Sequence, residues 1–533
     1  MELRIASDLK ARAARLKRTP ISFPVQTLSE TDRKVVANLV KAADLMSEIF
    51  LRQVSPLNVE TRRVLESSKE VRSQEALRYF RINFGPWDRL SGNKPFIGDR
   101  PKPPGAGFYP EDMTKEEFQK WVEEHLRDKD LFSSLYTVIR RQGSKLVAVP
   151  YSEEYREFLV PASELLKEAA ETTENKSLQR FLNSRAEALL KDDYFRSDMD
   201  WMDLDSSLEV TIGPYEVYED GLFGYKAAFE AFVTVNDPAE SAKLRKYASL
   251  LPNMELNLPI PDQYKNTRRG TESPIRVVNE LYTGGDARKG IQISAFNLPN
   301  DEKIREAKGS KKVLLKNVME AKFKSCFQPI ARRLISESQF DLVTFRAYFN
   351  EVLFHELSHG LGPGIIIKPD GARSEVRMEL KELYSAIEEA KADAVGVWSV
   401  LHMIDIGEID RKVEAEEHVT YVAGHFRAAR FGVHEAHGLG VVSQFNFLRE
   451  REAVLLDSRG RFEIRLQLMR DAIQVLANQL LMIEAEGSYA RAKQFLDRYG
   501  KVSPEMEEAI RKVADLPIDI EPDYQVLRLI KTG

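Results

Sequence analysis

The chain has 533 residues, of which 43% are hydrophobic and 30% charged, and its 78 basic and 83 acidic residues give a formal net charge of −5. This composition is typical of a large soluble protein of roughly two to four domains, and it excludes a general attraction to nucleic acid or anionic membranes. The single cysteine, Cys326, excludes an intrachain disulfide, and no apolar run reaches the roughly 18 residues of a membrane span. Because the amino-terminal stretch is also charged, the sequence predicts a cytoplasmic protein.

The first half of the chain predicts a mixture of helices and strands. Ser29 and Asp32 form a capping pattern before apolar residues at helical spacing, which predicts a helix from 29 to about 53. Proline and glycine are concentrated in residues 93–110, which should form an irregular surface segment. Strands are predicted by the apolar patterns at 145–151, 208–218 and 227–235.

From about residue 312 onward, the sequence predicts helices almost throughout. Apolar residues at helical spacing predict one helix over residues 375–400 and another over 461–485. A last pair of helices is separated by Gly500, and Ser503 with Pro504 provides a new helix start. We therefore expect a mixed region followed by a helical one.

The most informative motif is HELSH at residues 355–359. In a helix, His355 and His359 project from one face and can hold a zinc ion, while Glu356 can serve as general base. A catalytic zinc site needs a third protein ligand. Glu389 and Asp393 share a face of the predicted 375–400 helix, so one carboxylate can bind zinc while the other accepts the ring N–H of a ligand histidine.

Histidines are unevenly distributed, because seven of the eight fall between residues 355 and 437. Histidine is the usual zinc ligand and proton carrier, so the cluster indicates a chemical region. His402 and His418 have no supporting context and are interpreted as surface or core residues. His434 and His437 flank Glu435 without the helical spacing of four, and we do not assign them to a metal.

These motifs resemble those of the zinc-dependent dipeptidyl peptidase III metallopeptidases, more closely the bacterial and plant members, over most of the chain after about residue 200. HELSH resembles a family motif that has six residues in animal and fungal members. Residues 388–393 resemble the family's Glu-Glu-x-Arg-x-Glu, and residues 297–300 its Asn-x-Pro-Asn. Residues 212–235 resemble a strand and turn beside the active-site cleft.

The resemblance implies a role for each matched residue. Zinc would be held by His355, His359 and Glu389, with Asp393 orienting a ligand histidine. The catalytic residues would be Glu356, as general base, and His425, as stabiliser of the tetrahedral intermediate. Groups that bind the substrate would be Glu209, Asn297 and Asn300 at its free amino end, and Arg427 and Arg430 at a carboxylate. Ordinary solvated side chains remain the alternative for the two arginines.

Three positions depart from the family pattern. Lys391 replaces an arginine, and Asp393 replaces a glutamate and is one methylene shorter. Thr211 stands where better-known members have a tyrosine that hydrogen-bonds the substrate carbonyl. Because threonine reaches less far, Tyr215 or Tyr218 could donate this hydrogen bond instead.

The implied fold is α+β, with two lobes across a wide cleft that closes by a hinge. Residues 1–230 and 271–312 would form a mixed lobe with a β-barrel, and residues 231–270 and 313–515 a mostly helical, zinc-binding lobe. For the C-terminal segment 516–533, a return to the mixed lobe is left open. Peptide would bind between the lobes.

The sequence thus predicts an exopeptidase with one Zn²⁺ per chain that removes dipeptides from the amino end of short peptides. One alternative is another zinc hydrolase, such as an endopeptidase or epoxide hydrolase, and another is a catalytically weak protein that binds peptides or partners. Plant relatives join such a region to a Nudix domain, whose signature does not occur here, so nucleoside diphosphate hydrolysis is not expected. Nucleic acid and membranes are not expected partners, and the oligomeric state is left open.

Overall fold

A computed structural model describes residues 3–266, 275–367, 371–433 and 435–531. The chain divides into two compact units. The mixed unit comprises Met1–Ala242, Ser273–Val318 and Ile520–Gly533, and the helical unit comprises Lys243–Glu272 and Met319–Asp519. The predicted lobe boundary at residues 270 and 271 lies outside the described residues.

Most strands are in the mixed unit. In chain order the strands are β1 (Leu16–Ile21), β2 (Trp87–Asp88), β3 (Lys94–Pro95), β4 (Thr137–Gln142), β5 (Lys145–Pro150), β6 (Leu208–Glu216), β7 (Ala228–Asn236), β8 (Ile275–Gly285), β9 (Ala295–Leu298), β10 (Lys311–Leu315), β11 (Ile365–Ile367), β12 (Arg373–Glu375), β13 (Val454–Leu456), β14 (Phe462–Ile464) and β15 (Asp519–Tyr524).

Helices occur in both units. In chain order they are α1 (Leu9–Ala14), α2 (Glu30–Val54), α3 (Asn58–Ser67), α4 (Val71–Asn83), α5 (Lys115–Glu124), α6 (Lys129–Ser133), α7 (Tyr151–Glu154), α8 (Arg156–Thr172), α9 (Lys176–Lys191), α10 (Phe195–Met202), α11 (Pro238–Ser249), α12 (Leu251–Leu256), α13 (Glu302–Lys308), α14 (Lys316–Lys322), α15 (Gln328–Leu334), α16 (Phe345–Ser358), α17 (Val376–Leu380), α18 (Tyr384–Asp405), α19 (Val413–Ala428), α20 (Ala436–Glu450), α21 (Leu466–Ala485), α22 (Tyr489–Tyr499), α23 (Pro504–Lys512) and α24 (Val526–Lys531). Among the helices described, none has the length and apolar character needed to cross a bilayer.

The main sheet of the mixed unit has five strands in the order β6-β7-β8-β10-β9. Its neighbours are antiparallel except for β8 and β10, which are parallel. The edge strands β6 and β9 do not pair with each other in the part of the chain that the structure describes, so the sheet is open. The expectation of a closed β-barrel is therefore wrong. Strand β15 pairs with β1, which brings the C-terminal segment to the mixed unit.

Helix α2 packs its apolar face against β7, β8 and α8 in the mixed unit. The Oγ atom of Ser29 accepts a hydrogen bond of 3.0 Å from the backbone N–H of Asp32, whose carboxylate accepts one of 3.1 Å from the N–H of Ser29. The predicted capping box and helix are thus confirmed. A Cβ added at Gly284 of β8 would lie 2.1 Å from the carbonyl oxygen of Ala43, so this helix–sheet approach requires glycine.

In the helical unit, helix α18 packs against α16, α20 and α21. Two glycines allow close backbone approaches at α18. A Cβ added at Gly396 of α18 would lie 3.0 Å from the backbone nitrogen of His355 in α16. A Cβ added at Gly440 of α20 would lie 3.2 Å from the backbone nitrogen of Ala390 in α18. Helix α18 is therefore held closely between α16 and α20.

Two predicted helices differ in extent from the observed ones. The single helix expected over 375–400 is interrupted, because Lys381 has a φ of 54°, a left-handed conformation that ends α17 before α18 begins. The helix expected over 461–485 begins only at Leu466, after strand β14, which pairs with β13. Short β-hairpins escape periodicity arguments, since three residues give too little pattern to recognise.

Candidate metal centre and active site

The HELSH motif lies at the carboxyl end of α16, which begins after a Thr344 cap whose Oγ1 accepts a hydrogen bond from the N–H of Ala347. The N–H of His359 donates to the carbonyl oxygen of His355 at 3.2 Å, so helical geometry continues through the second histidine. Both rings therefore project from one face, and their Nε2 atoms are 3.1 Å apart. A helix carboxyl end also favours a nearby cation.

Glu389 of α18 provides a third donor atom beside the two imidazoles. Its Oε2 lies 3.4 Å from Nε2 of His355 and 4.0 Å from Nε2 of His359. A tetrahedral zinc ion with bonds of about 2.0–2.1 Å separates its ligand atoms by about 3.3 Å. The three observed separations bracket this value, so small side-chain adjustments would let all three atoms bind one ion.

A carboxylate orients each of the two histidines. Nδ1 of His355 is 2.7 Å from Oδ1 of Asp393, and Nδ1 of His359 is 2.8 Å from Oε1 of Glu388. A proton on each Nδ1 would leave both Nε2 lone pairs available to a metal. Sequence reasoning provided Asp393 but missed Glu388, although it precedes Glu389 directly. Lys391 donates to the Glu388 carboxylate at 2.9 Å, which shows that lysine supports this carboxylate here.

The charges of the centre depend on one another. Burial alone would lower the pKa of His355, but the carboxylates of Asp393 and Glu389 raise it to about 10. Burial would raise the pKa of Glu389, but hydrogen bonds from His355 and His437 hold it well below its usual range. Burial also opposes ionisation of Asp393, and His355 nevertheless lowers its pKa. The ionised carboxylates around two imidazoles favour a bound cation.

His437, which the sequence analysis left unassigned, lies at this centre. Its Nε2 is 2.9 Å from Oε2 of Glu389, and His437 forms with His355 and Glu389 a second set of three donor groups, within 4.8 Å of one another, that could hold a metal ion. The hydrogen bond to Glu389 raises the pKa of His437, whose side chain is 70% exposed. His437 opens α20 and reaches the centre from another helix, so the spacing rule could not find it. His434 lies outside the described residues.

His425 of α19 lies beside the centre and is buried. Its ring contacts Tyr421 edge-on at 4.6 Å and interacts with the side-chain amide of Gln444. Burial lowers the pKa of His425 to about 4, so the ring is neutral at neutral pH. A cavity of about 260 Å³ is lined by His425 together with His355, Glu356 and Asp393. Glu356, the predicted general base, and His425 therefore line the same cavity.

The two arginines predicted to bind a carboxylate differ in their surroundings. Arg430 donates to the carbonyl oxygens of Leu516 at 2.6 Å and Pro517 at 2.9 Å, which commits two of its N–H groups to the backbone. Arg427 lies over the ring of Phe431 at 5.2 Å and lines the cavity beside His425. The structure thus brings Arg427, but not Arg430, to the cavity.

The comparisons with known proteins agree with this geometry. Residues 137–373 match the model of peptidase family M49. The chain is 50% identical to dipeptidyl peptidase III from Caldithrix abyssi, with a TM-score of 0.95 over 98% of this chain and 100% of that structure. The family is thereby shown. The chain belongs to the dipeptidyl peptidase III family.

Two further relatives cover almost all of this dipeptidyl peptidase III family chain. Dipeptidyl-peptidase III from Corallococcus sp. strain EGB is 40% identical, with a TM-score of 0.81 over 99% of both chains. A protein named Nudix hydrolase 3 from Arabidopsis thaliana is 36% identical in an alignment of 571 positions that covers 97% of this chain and 74% of the plant protein. Family membership makes the chain a peptidase, a hydrolase of the metallopeptidase class.

In the mixed unit, the residues predicted to bind the substrate amine of a dipeptidyl peptidase III have different surroundings. Glu209 is buried, and its Oε1 is 3.1 Å from the ammonium of Lys311, so a partner already neutralises it. Asn297 is exposed on β9. Asn300 donates to the carbonyl oxygen of Tyr215 at 3.3 Å and also hydrogen-bonds Glu216. Burial raises the pKa of Glu216, although the hydrogen bond from Asn300 opposes this shift. Sequence reasoning missed Glu216, which lies beside Asn300.

The three candidate donors to the substrate carbonyl also differ. Thr211 and Tyr215 are buried, and the hydroxyl of Tyr215 interacts with the side chains of Arg185 and Asp198. The ring of Tyr215 contacts the guanidinium of Arg185 at 5.5 Å. Tyr218 is 81% exposed. Only Tyr218 of the three presents its hydroxyl to solvent and hence to a ligand.

Proposed function

We propose that the chain is a zinc-dependent exopeptidase that removes dipeptides from the amino end of short peptides. The observation that carries the proposal is the convergence of two Nε2 atoms and Oε2 of Glu389 within 4.0 Å of one another. Each histidine turns its other nitrogen toward a carboxylate, as zinc-binding histidines do. His355, His359 and Glu389 would hold the ion, which would acidify a water molecule and polarise the scissile carbonyl.

The protein's own groups would then carry the proton transfers. Glu356 follows His355 on α16 and lines the 260 Å³ cavity, where it would accept the proton of the attacking water and pass it to the leaving amine. His437 is exposed beside Glu389, and we propose it as a hydrogen-bond donor to the oxyanion. His425 is buried and neutral, and its single ring N–H would provide a second hydrogen bond that stabilises the tetrahedral intermediate.

Recognition of the free amino end would define a dipeptidyl rule. We propose that Glu216 and Asn300, with Asn297, bind the substrate ammonium, because Glu209 is already paired with Lys311. A buried ammonium without acceptors costs several kcal/mol, roughly 1–3 kcal/mol for each lost partner. Tyr218 would donate a hydrogen bond to a substrate carbonyl, in place of the tyrosine that other family members have at the position of Thr211.

The test combines metal content with turnover of a dipeptidyl naphthylamide. We expect about one zinc per chain, release of dipeptides, and a sharp loss of turnover when the peptide's amino end is acetylated. The variant Glu356→Gln should keep zinc and lose about 10²–10⁴-fold in kcat. Equal cleavage of acetylated and free peptides would instead indicate an endopeptidase, and zinc binding without turnover of any peptide would indicate a binding protein.

A further inference from the structure

A chain of hydrogen bonds leads from His355 into the interior of the helical unit. Nδ1 of His355 meets Oδ1 of Asp393 at 2.7 Å. The other oxygen, Oδ2, accepts a hydrogen bond of 2.8 Å from the side-chain amide of Gln444. The amide oxygen of Gln444 accepts in turn from the hydroxyl of Tyr421. The chain joins α16, α18, α20 and α19 in that order.

The direction of this chain is determined at Asp393, because an ionised carboxylate can only accept hydrogen bonds. The NH₂ group of Gln444 therefore faces Oδ2 of Asp393, and its amide oxygen is left to accept from the hydroxyl of Tyr421. Burial raises the pKa of Tyr421 well above its usual value, so the phenol keeps the proton that it donates. Both inner residues are buried, with exposures of 4% for Tyr421 and 0% for Gln444, so water cannot readily replace either partner.

The same chain determines how Asp393 meets the metal ligand. With Oδ2 bound to Gln444, the carboxylate cannot rotate about its terminal bond without losing a hydrogen bond. Oδ1 therefore stays directed at Nδ1 of His355 and holds the ring with Nε2 toward Glu389. Gly440, one helical turn before Gln444, lets α20 approach α18 closely enough for this contact.

We propose that Gln444 and Tyr421 are positioning residues that hold His355 in its metal-binding orientation through Asp393. This inference rests on the zinc site of the proposed function. His359 is oriented separately, because its carboxylate partner Glu388 is held by Lys391 rather than by this chain. Loss of the chain should therefore loosen one of the two histidine ligands and leave the other in place.

The experiment measures zinc affinity by chelator competition, in full-length Gln444→Met and Tyr421→Phe. Methionine keeps the length of glutamine but lacks both the amide oxygen and the NH₂ group, and we expect a 10–100-fold loss of zinc affinity. Tyr421→Phe should lose less, because Gln444 can still reach Asp393. In the double variant the loss should not exceed that of Gln444→Met alone, since both changes interrupt one chain.

A matched control is Gln339→Met in the same unit. Gln339 donates to the carbonyl oxygen of Ile464 at 2.7 Å, and its removal should lower stability without changing zinc affinity. The visible spectrum of cobalt-substituted protein reports the geometry of the metal ligands. A general loss of stability would leave this spectrum unchanged. We expect a changed spectrum for Gln444→Met and an unchanged one for Gln339→Met.

The outcomes separate this inference from the proposed function. Absence of zinc binding in the wild type would refute the metal site itself. Zinc binding by the wild type, with equal affinity and an identical cobalt spectrum in Gln444→Met, would refute only the positioning role. Should Gln444→Met fail to fold, Tyr421→Phe carries the same test, since it removes a single hydroxyl. Unchanged affinity and an unchanged cobalt spectrum in Tyr421→Phe would then overturn the role.

Discussion

Replacing Gly396 by alanine tests whether the close approach of α18 to α16 determines the metal geometry. The added Cβ would lie 3.0 Å from the nitrogen of His355 and 3.1 Å from the carbonyl carbon of Phe354, whereas ordinary contacts begin near 3.4 Å. Relief requires the helices to separate by about 0.4 Å, which is close to the tolerance of about 0.5 Å within which functional groups must be held. Glu389 and Asp393 would move away from His355 with their helix.

Two opposing terms determine the effect of Gly396→Ala on stability. Alanine gains about 1 kcal/mol of helix propensity over glycine, and overpacking costs about 1–3 kcal/mol. We expect the free energy of unfolding, measured by urea titration in the presence of a chelator, to fall by about 0–2 kcal/mol. Zinc affinity, measured by chelator competition, should fall by about tenfold.

A matched control is Gly424→Ala in α19. There the new Cβ would meet only side-chain atoms, Oε2 of Glu351 at 3.3 Å and the ring of Phe327 at 3.8 Å. This variant should gain up to about 1 kcal/mol of stability and bind zinc like the wild type. If Gly396→Ala also keeps wild-type zinc affinity, the helix–helix approach does not determine the metal geometry, and the reasoning is refuted.

Four further predictions concern single side chains. Lys391→Met leaves a buried carboxylate without its cation and should destabilise the protein by about 3–5 kcal/mol in urea titrations, a result that unchanged stability would contradict. Glu216→Gln should raise KM for peptides with a free amino end, whereas Glu209→Gln should lower stability and leave KM unchanged. A raised KM in Glu209→Gln, with an unchanged KM in Glu216→Gln, would show that Glu209 binds the substrate amine. Arg430→Gln should cost about 1–3 kcal/mol in thermal or urea unfolding without altering KM, and a raised KM would show a role in substrate binding. Burial lowers the pKa of His418 to about 4, below its ordinary 6.5, so its contribution to stability is complete above pH 6.5 and is lost as pH falls toward 4. In His418→Leu, urea titrations over this range should show a pH slope smaller by up to about 1.4 kcal/mol per pH unit, and an unchanged slope would exclude His418 as a source.

The parts of the structure that sequence predicted well are local. The capping box at Ser29 and the helical spacing of His355 and His359 involve residues within one turn, and helix geometry alone determines how they meet. The sheet topology was not accessible in this way. Alternating apolar residues predicted β6 and β7 as strands, but whether five strands close into a barrel depends on pairings between distant segments.

Site residues follow the same division. Glu389 and Asp393 could be found because they lie four residues apart on one helix. His437 could not, because its contact with Glu389 joins α20 to α18, and no spacing in the sequence marks it. Glu209 and Glu216 lie in the same strand, so the sequence does not tell their roles apart. In the structure, Glu209 is paired with the buried Lys311, whereas Glu216 lies beside Asn300.

The candidate metal centre draws its groups from helices that meet at α18, so its geometry is a property of helix packing. Gly396 brings α18 to α16, where the histidines are, and Gly440 brings α20 to α18, where Gln444 reaches Asp393. A change of a few tenths of an ångström at Gly396 moves His355 relative to Glu389, and one at Gly440 moves Gln444 relative to Asp393, although neither glycine is itself a ligand. Zinc affinity should therefore respond to packing variants in these helices more strongly than the free energy of unfolding does. A set of such variants in which the two quantities fall in proportion would show instead that the centre follows only global stability.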